Sequence, residues 1–407
     1  MSKSTRADNL AVVLGMFETG LAVGRSLGRA GIRVLGLDSS RKVGFYSKYI
    51  TPRICPEPWE EEDFVAFLLR IADREDLQPV LFITGDEFLA PFIRNRSDVE
   101  KRYLVNLPDS QLLECITDKY KQAQLARAVG IPVPETFVVR SLEQLLAVID
   151  RIPLPAFIKG AEATSWRRRI GIGRKGFVVF SQRELTDVVS RIFDVGVGGL
   201  IQEIIPGPDT NHFKACCYIS QTDEVLLSFG LQKLRQQPVG FGFGCLVQSV
   251  RYPELLDVGR TFLERIGYRG VASAEFKLDE RDGLLKLIEL NPRYWQQNGL
   301  ADGCGMSFPL MEYLDVTGCE PKAIHDYKVG VKWLNVYRDL ESFREYRKRG
   351  ELSLRRWLHS LKGPRIYSDG ASDDVWPGLH GVLMESRDLL RKICSMSFAR
   401  AEAAHLG

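Results

Sequence analysis

The stretch VASAEFKLDERDGLLKLIELNPR, residues 271–293, contains two apolar strand patterns separated by a short polar turn. The strand patterns cover residues 271–278 and 284–290, and residues 279–283 connect them. A connection this short joins neighbouring antiparallel strands, so the stretch predicts a β-hairpin. The hairpin indicates an α+β fold for the middle of the chain.

Each arm of the predicted hairpin carries a glutamate, Glu275 on the first arm and Glu289 on the second. Neighbouring strands stand about 5 Å apart, so the two carboxylates can lie side by side, where they repel each other unless a cation lies between them. Mg²⁺ suits such a pair because it takes oxygen ligands and is commonly held by one or two carboxylates together with substrate phosphates. By the two-residue period of a strand, Asn291 adds a neutral oxygen on the face of Glu289, and Arg293 continues that face. The pattern therefore predicts a magnesium site on the hairpin.

Two lysines and a basic loop precede the hairpin in the chain. Lys119 begins a helical pattern for which Thr117 is the predicted cap, and Lys159 ends the strand pattern of residues 156–159. The loop of residues 160–176 then carries five cations among its glycines, namely Arg167, Arg168, Arg169, Arg174 and Lys175. Because so many like charges are costly to hold close together, we expect the loop to order over a polyphosphate, with a solvated surface loop as the alternative.

Composition excludes several classes of protein. The chain has 407 residues, 45% of them hydrophobic and 26% charged, which is typical of globular proteins and excludes disordered and coiled-coil classes. A formal net charge of +3 is too small to indicate a dedicated nucleic-acid or membrane surface. No run of about 18 apolar residues occurs, so we expect no transmembrane segment. The start lacks the apolar stretch of a secretion signal, and the eight cysteines form no CxxC pair, so we expect reduced thiols and a cytoplasmic location.

The first hundred residues show a repeated strand and helix pattern. Residues 10–14 and 32–37 read as strands on either side of an amphipathic helix, and residues 80–83 read as a further buried strand. This pattern predicts a small parallel-sheet domain that ends near residue 112. The turn of residues 15–20 lacks the GxGxxG order, so we interpret it either as a substrate-facing loop or as a plain structural turn.

The order of these motifs resembles the signature of the ATP-grasp superfamily over about residues 112–310. The matching features are the two lysines, the basic glycine loop, the stretch QEIIPGPD of residues 202–209, and Glu275 followed by Glu289-x-Asn291-x-Arg293. Within the superfamily the chain looks most like the predicted carboxylate-amine ligases, the group that includes D-aspartate ligase.

The resemblance implies a fold of α/β and α+β class, with a βαβ pre-ATP-grasp domain, a two-subdomain ATP-grasp fold and a helical C-terminal extension. The expected boundaries are residues 1–112 for the first domain, 113–198 for the small subdomain with its phosphate lid, 199–325 for the large subdomain with the metal site, and 326–407 for the extension.

The resemblance also implies roles for individual residues. Lys119 and Lys159 would contact ATP phosphates, and Arg293 would steady a developing acyl phosphate. Lys233 sits where relatives place a cation facing the acid substrate, and Arg235 is a second candidate; a buried salt bridge is the alternative for either residue. The remaining assignments are adenine binding by Gln202, Glu203, Ile204 and Ile205, ribose binding by Asp209, and binding of two Mg²⁺ ions, with Mn²⁺ as the alternative metal, by Glu275, Glu289 and Asn291.

The implied activity is ATP-dependent ligation of a carboxylate to an amine through an acyl phosphate, with release of ADP and phosphate. Its expected partners are a small-molecule acid and a small-molecule amine and no nucleic acid; a homodimer is left open. Two alternatives remain, a bicarbonate-using carboxylase of the same superfamily and an ATP-binding sensor without turnover.

Overall fold

The computed structural model describes residues 8–160, 166, 169–170 and 176–381. These residues form two compact units. The first unit comprises the described residues up to Asn106, then Lys233–Val250, and those from Arg293 onward; the second comprises Leu107–Gln232 and Arg251–Pro292. The expected four-part domain division stays a prediction.

The helices and strands are numbered here in chain order. Up to residue 106 they are β1 Ala11–Leu14, α1 Glu18–Arg29, β2 Val34–Asp38, β3 Thr51–Ile54, α2 Glu61–Ala72, β4 Val80–Ile83, α3 Asp86–Arg94 and α4 Arg96–Glu100. Residues 107–237 form α5 Ser110–Thr117, α6 Lys119–Ala128, β5 Thr136–Val139, α7 Leu142–Leu146, β6 Ala156–Gly160, β7 Phe177–Val179, α8 Gln182–Asp194, β8 Gly199–Glu203, β9 His212–Ile219 and β10 Val225–Gln237.

The rest of the described chain completes both units. Its elements are β11 Phe243–Ser249, α9 Pro253–Arg265, β12 Gly270–Leu278, β13 Leu285–Asn291, α10 Asn298–Gly303, α11 Phe308–Val316, β14 Lys332–Leu334, α12 Val336–Lys348, α13 Leu354–Ser360 and β15 Arg365–Tyr367. No helix in the described ranges is long and apolar enough to cross a membrane.

The N-terminal sheet has the strand order β3-β2-β1-β4, and every pair is parallel. This confirms the predicted parallel sheet. After β1 the chain turns at Gly15, whose φ of +90° favours glycine. The Thr84 hydroxyl donates to the carbonyl oxygens of Leu14 (2.7 Å) and Gly15 (2.9 Å), and the Met16 N–H donates to the Asp38 carboxylate. Internal hydrogen bonds therefore hold this turn, which favours the interpretation as a structural turn.

The second unit contains a small antiparallel sheet in the order β5-β8-β6-β7. Helix α8 covers it with an apolar face of Leu185, Val188, Val189 and Ile192. This core holds β6 in place, and with it Lys159 near the end of that strand.

The same unit contains a larger antiparallel arrangement in the order β13-β12-β9-β10, which packs on α6 and α9. Two features of it differ from the sequence pattern. The mainly apolar run of residues 225–229 predicts a strand that ends at Phe229, but β10 continues to Gln237 because several of the polar residues that close it are buried rather than solvated. Strand β9 was visible in the sequence only as the apolar pair Cys216-Cys217.

The C-terminal residues belong to the first unit. Strand β11 pairs antiparallel with β14, which pairs parallel with β15. The expected C-terminal extension shows two charged helical patterns in its sequence, residues 339–350 and 353–361, and these correspond to α12 and α13. Helix α12 begins three residues earlier than its pattern because the Asn335 side chain caps it by accepting from the Arg338 N–H. The sequence also predicts a last helix from about Gly381, and residues 382–407 lie outside the described residues.

Candidate functional site

The hairpin of β12 and β13 places Glu275 directly opposite Glu289, which confirms the predicted pairing. Glu275 pairs with Glu289, but the next residue, Phe276, pairs with Leu287, so Ile288 is the extra residue of a β-bulge. A bulge bends its strand and re-aims the adjacent side chain. Asn291, two residues after Glu289 on β13, lies opposite Ser273 on β12. The two carboxylates and the Asn291 amide therefore lie along one face of the hairpin.

The two glutamates form the middle of a row of charges within the second unit. Glu275 has Lys214 as its register partner on β9, and the Lys214 ammonium lies 2.7 Å from the Glu275 carboxylate. On the other side the Lys119 ammonium donates to Glu289. The order across the row is cation, anion, anion, cation, so each carboxylate is neutralised by its own lysine. Lys214 was not among the predicted site residues because the strand pattern of β9 is weak in the sequence.

Lys119 is the first residue of α6, whose cap is Asp118 rather than Thr117. The prediction of Thr117 as the cap was wrong because Thr117 ends the preceding helix α5, and the Asp118 carboxylate accepts from the N–H groups of Tyr120 and Lys121. A carboxylate has two strong acceptor oxygens at this position and also favours the positive end of the helix dipole.

A buried glutamine fixes α6 against the carboxylate hairpin. Gln122 is 3% exposed, and its amide nitrogen donates to the carbonyl oxygens of Ile116 (2.7 Å) and Leu290 (2.8 Å). Its amide oxygen accepts from the Leu290 N–H at 2.9 Å. Leu290 stands between Glu289 and Asn291 on the edge strand β13. One side chain thus substitutes for a neighbouring strand and sets the distance between Lys119 and the carboxylates.

Lys159 completes the cationic side of this region. Burial, together with the nearby charge of Lys119, lowers the pKa of the Lys159 ammonium to about 8, and the charge of Glu289 acts in the opposite direction. Burial and the charge of Glu275 both act to raise the pKa of Glu289. The charge and hydrogen bond of Lys119, together with the charge of Lys159, outweigh them and hold this pKa below its ordinary value. The region therefore combines a carboxylate of lowered pKa, Glu289, with a lysine whose pKa is about 8.

The stretch predicted to meet adenine and ribose follows β8. The N–H groups of Glu203 and Ile204 donate to the carbonyl oxygens of Glu135 and Pro155, at 2.8 and 3.2 Å. Among the described residues no acceptor is seen for the N–H of Ile205. The Gln202 amide nitrogen donates to the Thr136 hydroxyl. The Glu203 carboxylate accepts from the Glu135 N–H and from the Arg281 guanidinium, and Asp209 begins a 3₁₀ turn of residues 209–211.

Lys233 and Arg235 both lie buried near the end of β10, in the first unit. Arg235 forms a two-pronged ion pair with Asp339, with nitrogen–oxygen distances of 2.7 and 3.1 Å, and also donates to the Ser360 hydroxyl. For Arg235 the structure thus shows the buried salt bridge that the sequence left as an alternative. The Lys233 ammonium donates to the Gln236 side-chain oxygen at 3.0 Å.

Arg293 lies in the first unit, beyond the end of β13. The expectation that it continues the strand face of Asn291 was wrong, because β13 ends at Asn291 and Pro292 follows. The Arg293 guanidinium instead makes a bidentate contact with the Asp86 carboxylate at 2.5 and 2.8 Å. Asp86 begins α3 at the carboxyl end of β4, and sequence analysis did not foresee its pairing with Arg293.

The predicted phosphate lid can be followed only in part. Of its five cations Arg169 alone is described, and its guanidinium donates to the Val195 carbonyl oxygen. Arg167, Arg168, Arg174 and Lys175 lie outside the described residues.

The donor set suits a magnesium ion. Glu275 and Glu289 offer carboxylate oxygens on adjacent strands, and Asn291 offers an amide oxygen on the same face. No group of three or more Asp, Glu, His or Cys residues with metal-site geometry occurs among the described residues. Two carboxylates and an amide leave coordination positions for phosphate oxygens or water, which is the pattern Mg²⁺ prefers over an all-protein cage.

The substitution Gln122→Leu tests the attachment of α6 to β13. Because it leaves the N–H and C=O of Leu290 without partners, we expect the free energy of unfolding to fall by about 3 kcal/mol, given about 1–3 kcal/mol for each buried group left unpaired. Urea unfolding measures this loss. Gln124→Leu on the exposed side of α6 is the matched control and should change stability by less than about 0.5 kcal/mol. Equal losses in the two variants would contradict the assignment.

Comparison with known proteins extends this picture. No family model matches the chain. The chain is 24% identical over 262 residues to a D-aspartate ligase of Enterococcus faecium, an alignment that spans 61% of this chain and 62% of the relative.

Solved structures match over more of the chain. The biotin carboxylase domain of the Hydrogenobacter thermophilus 2-oxoglutarate carboxylase, in complex with MgADP, ADP and bicarbonate, has a TM-score of 0.62 at 16% identity, with 81% of this chain and 74% of that chain covered. An L-amino acid ligase from Bacillus licheniformis has a TM-score of 0.58 at 14% identity, covering 77% and 75%. At this identity they show a common fold. Together with the motif order, these similarities support the resemblance of the chain to the ATP-grasp superfamily.

Proposed function

We propose that the protein is an ATP-dependent ligase that joins a carboxylate to an amine through an acyl phosphate, releasing ADP and phosphate. One observation carries the proposal: Lys119, Lys159 and Glu275 all lie within electrostatic reach of Glu289 in the second unit, with Asn291 on the same strand face as Glu289. Such a group of cations and oxygen donors suits a metal-bound polyphosphate.

The second unit would hold the nucleotide. Lys119 and Lys159 would bind the phosphate oxygens, and Glu275, Glu289 and Asn291 would hold Mg²⁺. When bound, Mg²⁺ supplies positive charge that stabilises the charge developing on the phosphoryl oxygens. The N–H of Ile205 would bind the adenine, since those of Glu203 and Ile204 already have acceptors. Asp209 would bind the ribose.

The chain's own residues would neutralise charge along the reaction. In the first step a carboxylate oxygen of the acid attacks the terminal phosphorus of ATP, and the bond from that phosphorus to the ADP oxygen breaks. Lys119 and Lys159 offset the repulsion between the attacking anion and the phosphates. Arg293 would bind the acyl phosphate. The amine then attacks the acyl carbon, loses a proton, and displaces phosphate.

The relatives support this proposal over its rivals. The curated relative is a D-aspartate ligase, and one structural neighbour is an L-amino acid ligase. A bicarbonate-using carboxylase is the second candidate, because a biotin carboxylase domain crystallised with bicarbonate shares the fold. The cytoplasmic location and the oligomeric state stay predictions.

A phosphate-release screen tests the proposal directly. Purified protein with ATP and MgCl₂ is offered pairs of acids and amines, with bicarbonate as a separate acid, and the products are weighed by mass spectrometry. We expect phosphate release that needs both an acid and an amine and yields a product lighter than their sum by one water. Release with bicarbonate alone would favour the carboxylase, and nucleotide binding without release under any pair would favour the sensor.

The variant Glu289→Gln tests the metal assignment. Removal of one carboxylate charge should lower Mg²⁺-dependent turnover by about 10²-fold or more, as for the loss of a key electrostatic group, while circular dichroism shows a folded protein. Glu264→Gln, on the exposed side of α9, is the matched control and should keep full turnover. Wild-type turnover by Glu289→Gln would remove Glu289 from the metal site.

The pKa of Lys159 predicts a pH dependence of nucleotide binding. Below its pKa of about 8 Lys159 is charged and attracts phosphate; above it the charge is lost. We therefore expect the Kd for MgADP, measured by calorimetry between pH 7.5 and 9.5, to rise by up to about tenfold per pH unit above the pKa.

Two variants separate this charge from other effects of pH. Lys159→Arg stays charged throughout this range, so its Kd should change little, whereas Lys159→Ala should bind weakly at every pH. Parallel pH profiles for the wild type and Lys159→Arg would show that Lys159 does not govern nucleotide binding.

A further inference from the structure

Helices α12 and α13 carry a concentration of positive charge that the net charge of the whole chain conceals. Residues 336–362 contain eight arginines and lysines against four aspartates and glutamates, so this segment alone exceeds the formal net charge of the chain, +3. The segment has no role in the nucleotide or metal assignments above. Its charge therefore needs a separate explanation.

The acidic residues of the segment neutralise few of these cations. Asp339 is buried and pairs with Arg235, and Glu345 pairs with Arg349. Six of the eight cations are exposed and form no ion pair within the described part of the chain, namely Arg344, Arg347, Lys348, Arg355, Arg356 and Lys362. Like charges held this close repel one another, so an anionic partner would stabilise them.

An aromatic stack joins the two helices. The rings of Phe343 on α12 and Trp357 on α13 are stacked, with their centroids 4.6 Å apart. The Trp357 indole N–H donates to the Asp339 carboxylate at 2.8 Å, and the buried pair with Arg235 holds that carboxylate in place. The cations of α12 and of α13 therefore belong to one packed helical pair.

Apolar side chains are exposed beside these cations. Leu354 and Leu358 stand one turn apart on α13, next to Arg355 and Trp357 in the chain, and are 48 and 53% exposed. On α12 an open groove of about 500 Å³ is lined by Leu340, Phe343, Arg344, Arg347 and Lys348. Exposed leucines and an apolar groove among cations form a basic amphipathic surface.

A lipid surface matches both features of this helical pair. Anionic headgroups supply oxygens for the cations, and the acyl boundary beneath them buries exposed leucines. Duplex DNA would match the cations but leave Leu354 and Leu358 in water. We propose that α12 and α13 dock the protein on an anionic phospholipid surface, with the six cations at the headgroups and the two leucines inserted below. This inference does not depend on the proposed function.

Sedimentation of the full chain with lipid vesicles tests the proposal. One kind of vesicle contains phosphatidylcholine alone, and the other contains equal amounts of phosphatidylcholine and phosphatidylglycerol. In about 0.1 M NaCl we expect at least about tenfold stronger partitioning into the anionic vesicles, since each cation near such a surface contributes about fivefold. In about 0.5 M NaCl this preference should fall several-fold, because salt screens the charges.

A double variant assigns the binding to the cations of α13. Arg355→Gln with Arg356→Gln should weaken partitioning into the anionic vesicles by about tenfold or more. Arg70→Gln with Arg74→Gln is the matched control, because it removes the same charge from exposed positions near the end of α2. We expect the control to stay within about twofold of the wild type.

A second variant tests the inserted leucines. Leu358→Ser should weaken partitioning into the anionic vesicles by about fivefold, the effect of losing about half of a buried leucine, and should leave the dependence on salt unchanged. Leu77→Ser is the matched control, since Leu77 is also 50% exposed, and it should have no effect. Circular dichroism checks that each variant is folded.

Several outcomes would overturn the proposal. Equal partitioning into both kinds of vesicle, or none into either, would remove the lipid surface, and equal losses in the two double variants would remove α13 from it. An unchanged Leu358→Ser protein would exclude insertion, and salt-sensitive binding of duplex DNA by that protein would assign the cations to a nucleic acid instead. Partitioning needs neither ATP nor turnover, so failure of the ligase proposal would leave this result unaffected.

Discussion

The arrangement of the second unit depends on the pairing of one glutamine side chain with the backbone of an edge strand. Strand β13 is the outermost strand of its sheet, so the backbone groups on its free side need partners. Gln122 supplies both a donor and an acceptor to Leu290 and belongs to the helix that begins at Lys119. The cation at the start of the helix and the carboxylates of the hairpin are therefore held in one rigid assembly.

This assembly explains how two carboxylates can lie on adjacent strands. Glu275 and Glu289 would repel each other strongly if they stood alone, but Lys214 and Lys119 each neutralise one of them from opposite sides. A divalent ion between the carboxylates would take over that role, and it would leave Lys119 able to turn towards a phosphate. The salt bridges of the present structure and the proposed nucleotide complex thus use the same charges with different partners.

The sequence predicted the parts of this site that depend on local pattern. The hairpin follows from strand periodicity and a short turn, and the pairing of Glu275 with Glu289 follows from the hairpin. The contacts missed by the sequence join residues far apart in the chain. Lys214 lies on a strand whose pattern was weak, and Asp86 precedes Arg293 by more than two hundred residues. Such pairings are set by tertiary packing, which no local window of sequence contains.

Two arginines of the first unit show that the solvent exposure of a salt bridge decides whether its members can exchange partners. Arg235 and Asp339 have side-chain exposures of 6 and 2%, so separating them would leave a buried charge uncompensated, which is strongly destabilising. Arg293 and Asp86 have exposures of 19 and 59%, and water can solvate Asp86 when the pair separates. An incoming anion can therefore compete for Arg293 at small cost but not for Arg235. The resemblance implies both as cations near the reaction, but burial assigns Arg235 to the fold, whereas the more exposed pair of Arg293 is compatible with the phosphate contact proposed above.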